Sequence, residues 1–435
     1  MTGKGVLTMH TPTVCRMDEL YAYGTHDREA ETERQRERYE HLVFLYREHF
    51  GREETPLRFF SAPGRTEVGG NHTDHNGGKV LAAAVNLDII AAAEPIEANK
   101  IVIKSEGFEE SDVWLDNLEP VSGEKNTSEA IIRGMAKGFK EAGLKTGGFK
   151  AYTTSKVIKG SGLSSSAAFE VLVGVILSHL FNEGKTDPVR IAQIAGVAEN
   201  EYFGKPSGLM DQIASAVGGF VAVDFKEPVP IIETVKADFS SFGHALCIID
   251  TKGSHEGLTA DYAAVPDEMK RIAAHFGVDC LRRICKQDVI LNVNTLRAKF
   301  GDRAVLRSLH FFDENVRVDK LVHALKNGDF PAFLGYINES GNSSYKYLQN
   351  IYSPDNVKSQ PLGIGLNIAE ASLERNGACR VHGGGFAGTV QAFVPYILLK
   401  EFKMNTETVF GADSCHILSV RNVGGTEVVR DAHNS

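Results

Sequence analysis

Apolar residues follow two periods along the first half of the chain. From Asp27 to Phe50 they recur at helical spacing on a highly charged background, which predicts an amphipathic surface helix. Largely apolar runs predict strands at 57–62, 79–94, 100–114 and 149–156. Further helices are predicted over 128–142, 165–181 and 187–204, the last with Asp187 as N-cap and Pro188 in its first turn.

A turn over 206–211 leads into a short helix that Gly218 and Gly219 close, and a strand follows at 220–225. Composition becomes more mixed beyond this strand. We therefore predict a domain boundary near 225, with one domain over 26–225 and a second over 226–435. Residues 1–25 show no clear period and are expected to form a loose N-terminal arm.

The second half interleaves strands and helices without a regular βαβ repeat. Its predicted strands are 245–251, 389–394 and 416–420, and its predicted helices lie near 262–276, 314–326, 330–340 and 361–376. This pattern predicts an α+β domain in which helices pack on one face of an antiparallel sheet.

The charge balance narrows the classes of partner. The chain has 435 residues, of which 42% are hydrophobic and 24% charged, so it is long enough for two or three domains. The net charge of −9 comes with no basic run. Nucleic acid and anionic membranes are therefore disfavoured, and small molecules are the expected partners.

Cysteine usage and hydropathy bear on location. The six cysteines are scattered without a C-x-x-C pair, so neither a zinc site nor a disulfide framework is predicted. Residues 1–10 lack the apolar core of a signal peptide, and no run is long and apolar enough to cross a bilayer. We expect a cytoplasmic protein.

The stretch 157–168 is the strongest candidate for a ligand site. Gly160 and Gly162 allow positive φ angles and a close backbone approach, and serines at 164–166 add hydroxyl donors. The loop opens an apolar helix, whose first N–H groups and dipole favour an anion. We interpret it as a nucleotide-phosphate loop, with an ordinary Gly/Ser linker as the alternative.

Two further glycine-rich loops accompany it, over 63–78 and 380–389. The first carries Arg65, His72 and Asp74. Three such loops fit a site that binds two ligands, one of them polyanionic. Two common nucleotide motifs are absent: His179 stands where the first P-loop glycine belongs, and Ser165 where the dinucleotide fingerprint ends in glycine.

Together these motifs resemble the GHMP kinase family and, within it, the galactokinases. Residues 62–78 resemble the galactokinase signature, 160–167 the family's ATP loop, 208–212 its catalytic turn and 382–388 its C-terminal glycine motif. The resemblance covers nearly the whole chain. It implies a two-domain α+β fold, with an N-terminal mixed-sheet domain, a C-terminal ferredoxin-like domain and the active site between them.

The resemblance also implies roles for individual residues. Asp211 corresponds to the catalytic aspartate that faces the anomeric hydroxyl of the sugar, and Arg65 to the arginine beside it. A carboxylate within reach of O1 accepts its proton, and a guanidinium keeps that carboxylate ionised. Taken alone, an aspartate at the start of a helix, as Asp211 is, is more typical of an N-cap than of a catalytic residue.

The ATP and magnesium positions follow from the same resemblance. The implied ATP contacts are Gly160, Ser161, Gly162, Leu163, Ser164, Ser165, Ser166 and Ala167. Ser166 and Glu199 match the Mg²⁺ positions, a hydroxyl and a carboxylate for a hard cation. Without the resemblance, Glu199 would read as a solvated residue in the last turn of its helix.

For the sugar, the resemblance implies contacts from His72, Asp74, Gly208 and Tyr262, with Asn71 beside them. Here the chain departs from the family, because galactokinases usually carry a glutamate at the position of Asn71, where it accepts from the C6 hydroxyl. The stretch 65–68, Arg-Thr-Glu-Val, replaces the usual Arg-Val-Asn-Leu, and Ile158 replaces a proline. An asparagine would tolerate an acceptor or an anion at this place.

The expected function is an ATP- and Mg²⁺-dependent kinase that phosphorylates galactose at its anomeric C1 hydroxyl by direct in-line transfer. Asn71 motivates one alternative, an anomeric kinase for galacturonate or N-acetylgalactosamine. A second alternative is a non-catalytic sensor of galactose and ATP. The retained Arg65, Ser166, Glu199 and Asp211 argue against a sensor.

Overall fold

The computed structural model describes residues 14–21, 28–158, 162–205, 207–237 and 239–429. The strands are β1 (Val14–Arg16), β2 (Arg58–Gly69), β3 (Lys79–Pro95), β4 (Lys100–Ser105), β5 (Glu110–Trp114), β6 (Phe149–Ser155), β7 (Phe220–Asp224), β8 (Ile231–Val235), β9 (His244–Asp250), β10 (Ala378–His382), β11 (Thr389–Pro395), β12 (Cys415–Leu418) and β13 (Thr426–Val429). The helices are α1 (Met17–Tyr21), α2 (Arg28–Phe50), α3 (Ser128–Glu141), α4 (Ser165–Phe181), α5 (Pro188–Val197), α6 (Met210–Val217), α7 (Thr259–His275), α8 (Lys286–Leu291), α9 (Val293–Phe300), α10 (Asp302–Lys326), α11 (Phe330–Ser343), α12 (Pro361–Leu373) and α13 (Leu399–Phe410).

Within the described residues, nine strands form one mixed sheet around β3. The strand order is β1-β13-β2-β3-β6-β4-β5, and β7 pairs with β3 and carries β8 on its other side. β3 is long enough to pair with β6 along one half and with β7 along the other. Among the described strands of this sheet, the pairs β1–β13 and β4–β6 are parallel and the others are antiparallel.

Helix α4 lies at the centre of the first layer of helices. It is apolar on almost all sides and buried over most of its length, as expected for a helix enclosed by other elements. It packs on β2 and β3 and against α3, α5 and α6. The phosphate loop therefore precedes a helix that the core holds in place.

A second sheet of four antiparallel strands, β10-β11-β9-β12, organises the rest of the chain. Helices α12 and α13 pack on it, with Leu362, Leu366 and Phe402 in their common apolar cluster. Helix α11 packs on β10 and α10 packs on β3, so these helices connect the two sheets. The predicted α+β architecture is confirmed.

Two first-half predictions need correction. The strand predicted to end at 62 continues as β2 to Gly69, because a register shift between Pro63 and Arg65 lets the proline stay in the sheet. The run 100–114 is a hairpin of β4 and β5, since Gly107 takes a left-handed φ of 77° at the turn.

The expected loose arm is ordered wherever it is described. β1 pairs with β13, and the α1 residue Tyr21 donates a 2.6 Å hydrogen bond to the buried carboxylate of Asp88. Residues 1–13 and 22–27 lie outside the described residues. The boundary near 225 stays a prediction; β8 and β13, both beyond it, belong to the first sheet.

Candidate active site

One cavity of about 920 Å³ collects the polar residues that the sequence motifs singled out. Ligand sites in proteins are usually cavities of this size. Its lining includes the predicted residues Arg65, Asn71, His72, Asp74 and Gly208, and also Gly383 and Gly384 of the C-terminal glycine motif. The first, third and fourth motifs therefore meet at a single place.

Arg65 and Asp211 form a two-point ion pair in this region. Arg65 lies on β2, and its Nε donates to Oδ1 of Asp211 at 2.6 Å while Nη2 donates to Oδ2. Asp211 lies in the first turn of α6, whose N-cap position is occupied by Leu209. The predicted catalytic pair is thus in contact, and the N-cap interpretation of Asp211 is wrong.

The pair fixes the protonation state of Asp211. Burial raises the pKa of this carboxyl, but the charge and hydrogen bonds of Arg65, a hydrogen bond from Ser164 and the charge of Lys205 outweigh it. The net result is a pKa below the usual value. Because the Asp211 side chain stays 22% exposed, an ionised carboxylate is accessible at the site.

The described part of the phosphate loop lies directly beside this pair. Nη1 of Arg65 donates to the Gly162 carbonyl, and the Arg65 backbone N–H donates to the Leu163 carbonyl at 3.0 Å. Gly162 has a φ of 73°, and a Cβ there would lie 3.0 Å from Nδ1 of His382. The predicted contacts Gly160 and Ser161 lie outside the described residues.

The loop ends at the N-terminus of α4, as predicted. Ser164 precedes the helix with a left-handed φ of 55°, and its own side chain makes no capping hydrogen bond. Ser165 begins the helix, and Ala167 is fully buried. The dipole of a 17-residue helix therefore favours an anion at this place.

Ser166 and Glu199 lie together, with Ser166 Oγ 3.1 Å from Glu199 Oε1. Glu199 is almost completely buried, on the π-helical turn Ala198–Phe203, which excludes the solvated-residue interpretation. Lys205 donates to its Oε1 at 2.8 Å, and Gln212 donates to its Oε2 at 2.8 Å. A hydroxyl and a carboxylate are oxygen ligands that suit Mg²⁺.

Glu170 is a residue that the motif search missed. It is fully buried four residues after Ser166 on α4, and its Oε2 accepts from Gln212 at 3.0 Å while Oε1 has no partner in the described structure. Burial, with the charge of Glu199, raises the pKa of Glu170 well above its usual range. A single acidic residue inside an apolar helix was the available signal.

Asp74 lies against Gly208, in the turn that leads to Asp211. It begins the short 3₁₀ helix Asp74–Asn76, and its Oδ2 packs so closely on Gly208 that a Cβ there would collide with it. Burial raises the pKa of Asp74, an effect that the His72 ring opposes and the charge of Asp211 reinforces. Asp74 and the Gly208 backbone, both predicted sugar contacts, therefore lie side by side.

Two histidines, His72 and His75, flank Asp74 in the sequence. His72 has a left-handed φ of 56° and makes a 2.8 Å hydrogen bond to the Gly384 carbonyl through Nε2. His75 lines the same cavity, and its buried Nε2 has no partner in the described structure. Burial, with the charges of His72 and Lys270, lowers the pKa of His75 to about 3, so this ring is neutral.

Asn71, where the chain departs from the family, is held by hydrogen bonds within the protein. Its Nδ2 donates to Glu67 at 3.0 Å and to the Gly383 carbonyl at 2.7 Å. Its Oδ1 accepts from Ser344 at 3.2 Å and from Asn350 at 2.9 Å. The amide is therefore saturated, and a sugar contact through Asn71 stays a prediction.

Tyr262 is the predicted sugar contact that does not line the cavity. It lies behind Gly384, and its hydroxyl donates to the Gly385 carbonyl at 2.7 Å and contacts Nδ1 of His255, also at 2.7 Å. Burial raises the pKa of Tyr262 to about 12. Its role at the sugar stays a prediction; in this structure it supports the glycine motif.

Comparison with known proteins agrees with this geometry. The galactokinase galactose-binding signature matches residues 45–95, and the N-terminal domain of GHMP kinases matches residues 130–219. A galactokinase of Thermotoga neapolitana is 30% identical over 334 residues, which cover 76% of this chain and 87% of the relative. A galactokinase of Actinobacillus pleuropneumoniae is 29% identical over 356 residues, 80% of this chain and 88% of the relative.

Solved structures share the fold. The crystal structure of Lactococcus lactis galactokinase complexed with galactose superposes with a TM-score of 0.75 at 24% identity, over 89% of this chain and 99% of that one. A mevalonate kinase of Methanococcus jannaschii superposes with a TM-score of 0.61 at 15% identity, over 85% of this chain and 100% of that one. The two-domain fold expected from the sequence is confirmed.

Among the described residues, none of the helices combines the length and apolar character that spanning a bilayer requires.

Proposed function

This chain belongs to the galactokinase family, and from that premise we propose that it transfers the γ-phosphoryl group of ATP to the O1 hydroxyl of galactose. The products are galactose 1-phosphate and ADP. The observation that carries the proposal is the contact between Arg65 and Asp211, 2.6 Å from Nε to Oδ1, beside both the phosphate loop and the cavity.

Asp211 is the general base of the proposed reaction. Its lowered pKa keeps the carboxylate ionised, so it accepts the O1 proton as O1 attacks the γ-phosphorus. A bond forms between O1 and phosphorus, the bond to the bridging oxygen breaks, and ADP leaves with that electron pair. Arg65 holds the carboxylate in position and spreads the negative charge of the transition state.

The loop and α4 supply the nucleotide site in this proposal. The N-terminus of α4 faces the phosphates with its dipole, and hydroxyls of the loop donate to their oxygens. Ser166 and Glu199, 3.1 Å apart, would hold Mg²⁺. When bound, the cation neutralises charge on the β- and γ-phosphates. Lys205 balances the buried charge of Glu199 in this structure.

His72, Asp74 and Gly208 are the proposed sugar contacts. A carboxylate accepts hydrogen bonds from two vicinal hydroxyls, and Asp74 borders the cavity with its Oδ2 against Gly208.

The six free cysteines support our placing the reaction in the reducing cytoplasm.

The test is an assay of the purified protein with ATP, Mg²⁺ and a panel of hexoses that includes galactose, galacturonate and N-acetylgalactosamine. We expect galactose 1-phosphate as the main product. Absence of any sugar phosphate would overturn the proposal, and a preference for an analogue would correct its substrate. The saturated amide of Asn71 gives the 6-carboxylate and 2-acetamido alternatives no support.

A further inference from the structure

Glu67 is an acidic residue on β2, two positions after Arg65. The register of β2 with β3 is regular here, with Arg65 opposite Ala84 and Glu67 opposite Ala82, so both side chains lie on the same face. Both line the cavity. Two strand residues span about 6.5 Å, which is comparable to the width of a pyranose ring.

The Glu67 carboxylate is held firmly at one oxygen only. Its Oε1 accepts from Nη2 of Arg380 at 2.7 Å and from Nδ2 of Asn71 at 3.0 Å. Arg380 is completely buried and Glu67 is 8% exposed. In the part of the chain that the structure describes, Oε2 has no donor, so one oxygen of a fixed carboxylate remains available at the cavity.

The neighbouring Asn71 offers no such atom. The galactokinase resemblance places a glutamate at 71 and an asparagine at 67, whereas this chain has the two residue types exchanged. Both donors and both acceptor positions of the Asn71 amide are used within the protein. Relative to the family pattern, the acidic residue stands four positions earlier in this chain. The side chains of Glu67 and Asn71 hydrogen-bond to each other.

From this arrangement we infer that Glu67 is a specificity-determining residue for the sugar. Its Oε2 accepts a hydrogen bond from a galactose hydroxyl on the side of the ring remote from O1, which is the C3, C4 or C6 hydroxyl. The inference rests on the proposed function, because it takes O1 to lie at Asp211 and Arg65.

A purely structural role makes a different prediction. Arg380 is buried and needs a counter-ion. Glu67 forms an ion pair with it, and the charge of Arg380 also helps to lower the pKa of Glu314. If Glu67 did nothing else, its replacement would lower stability and would slow the enzyme on every sugar by the same factor. Only a contact with one hydroxyl changes the ratio between sugars.

The Glu67→Gln variant tests the inference sharply. Arg380 and Asn71 both donate to the Oε1 position, so the amide oxygen must stay there and the NH₂ group takes the place of Oε2. The cavity loses an acceptor and gains a donor. We expect kcat/KM for galactose to fall about 10- to 100-fold, the effect of a lost hydrogen bond to a charged group.

The readout is kcat/KM on galactose and its 2-, 3-, 4- and 6-deoxy analogues. We expect the wild type to discriminate against the 3-, 4- or 6-deoxy sugar, and Glu67→Gln to abolish that one preference while the ratio for the 2-deoxy sugar stays unchanged. Glu67→Asp, which withdraws the oxygen by one methylene, should weaken the same preference and serves if the glutamine variant does not fold.

Glu314→Gln is the matched control, because it removes another buried carboxylate that interacts electrostatically with Arg380. It should lower the melting temperature and leave all sugar ratios unchanged. Unchanged ratios in both Glu67 variants, or a change confined to the 2-deoxy sugar, would overturn the inference. Failure of the proposed function would look different, since the wild type would then phosphorylate none of these sugars.

Discussion

Asp211 and Arg65 are 146 residues apart in the chain, yet Arg65 Nε lies 2.6 Å from Asp211 Oδ1. Nη2 of the same guanidinium donates to the second carboxylate oxygen, Oδ2. Two parallel N–H donors fix both the position and the plane of a carboxylate. The proposed base is therefore oriented by the fold itself.

Replacing Asp211 by Asn should leave sugar and nucleotide binding largely intact and lower kcat about 10²- to 10⁴-fold, because the amide cannot accept the proton. Turnover by a coupled ADP assay and binding by calorimetry check this. Asp319→Asn is the control, since Asp319 is an exposed partner of Lys79 and should keep normal turnover. Wild-type rates in Asp211→Asn would remove Asp211 from the mechanism.

Replacing Arg65 by Met should shift the acid limb of the pH–rate profile upward. In the wild type, the pKa of Asp211 is below its usual value, so the pair's stabilisation is present above that usual value and is lost as pH falls through the lowered pKa. Without the guanidinium, burial dominates and raises the pKa. Arg65→Lys keeps the charge and should leave the limb in place at a lower rate. An unmoved limb in Arg65→Met would contradict this account.

The Ser166→Ala variant should need more Mg²⁺ for half-maximal activity, since it removes one of the two proposed ligands beside Glu199. Chelation with EDTA should abolish turnover in both proteins, and the KM for galactose should not change. Activity titrated against free Mg²⁺ measures this. An identical titration midpoint would exclude Ser166 as a ligand.

An alanine at Gly208 should damage the sugar site selectively. Its Cβ would collide with Oδ2 of Asp74, so we expect the KM for galactose to rise at least about 10-fold with little change for ATP. In Gly335→Ala the added Cβ meets nothing within 4 Å on α11, so this control should keep both constants and gain about 0.5–1 kcal/mol of stability. Equal KM changes for both substrates would argue against a local effect.

His75 should make folding sensitive to mild acid. Burial, with the charges of His72 and Lys270, lowers the pKa of His75 to about 3, so as pH falls below 6.5 the unfolded chain takes up a proton that the folded protein does not. Between pH 7 and pH 5 the free energy of unfolding should fall by about 2 kcal/mol more than in His75→Gln. Urea titrations at both pH values measure the difference, and equal losses would contradict it.

The sequence allowed prediction of the parts of the site that depend on backbone geometry. Positive φ angles, a helix N-terminus and close backbone packing require glycine and serine in a fixed order, and such order is readable. Gly162 accordingly has a left-handed φ of 73°, and Ser164 directly precedes helix α4.

Features that depend on distant partners were not predictable. Glu67 looks like an ordinary charged residue until the fold buries it beside Arg380, and nothing near Glu170 in the sequence identifies Gln212 as its partner. Tyr262 matched a motif position, yet its hydroxyl is used by the Gly385 carbonyl and by His255. Short edge strands such as β1 carry too few residues to show a period, so an ordered segment looked like a loose arm.

The position of β13 between β1 and β2 determines when the first sheet can form during protein synthesis. β13 lies far beyond β2 in the chain, so β1 and β2 are synthesised long before the strand that joins them. Until then, the edges of β1 and β2 expose unpaired backbone groups to neighbouring nascent chains. A premature stop shortly before residue 426 should therefore yield aggregates, although it would spare every residue of the cavity.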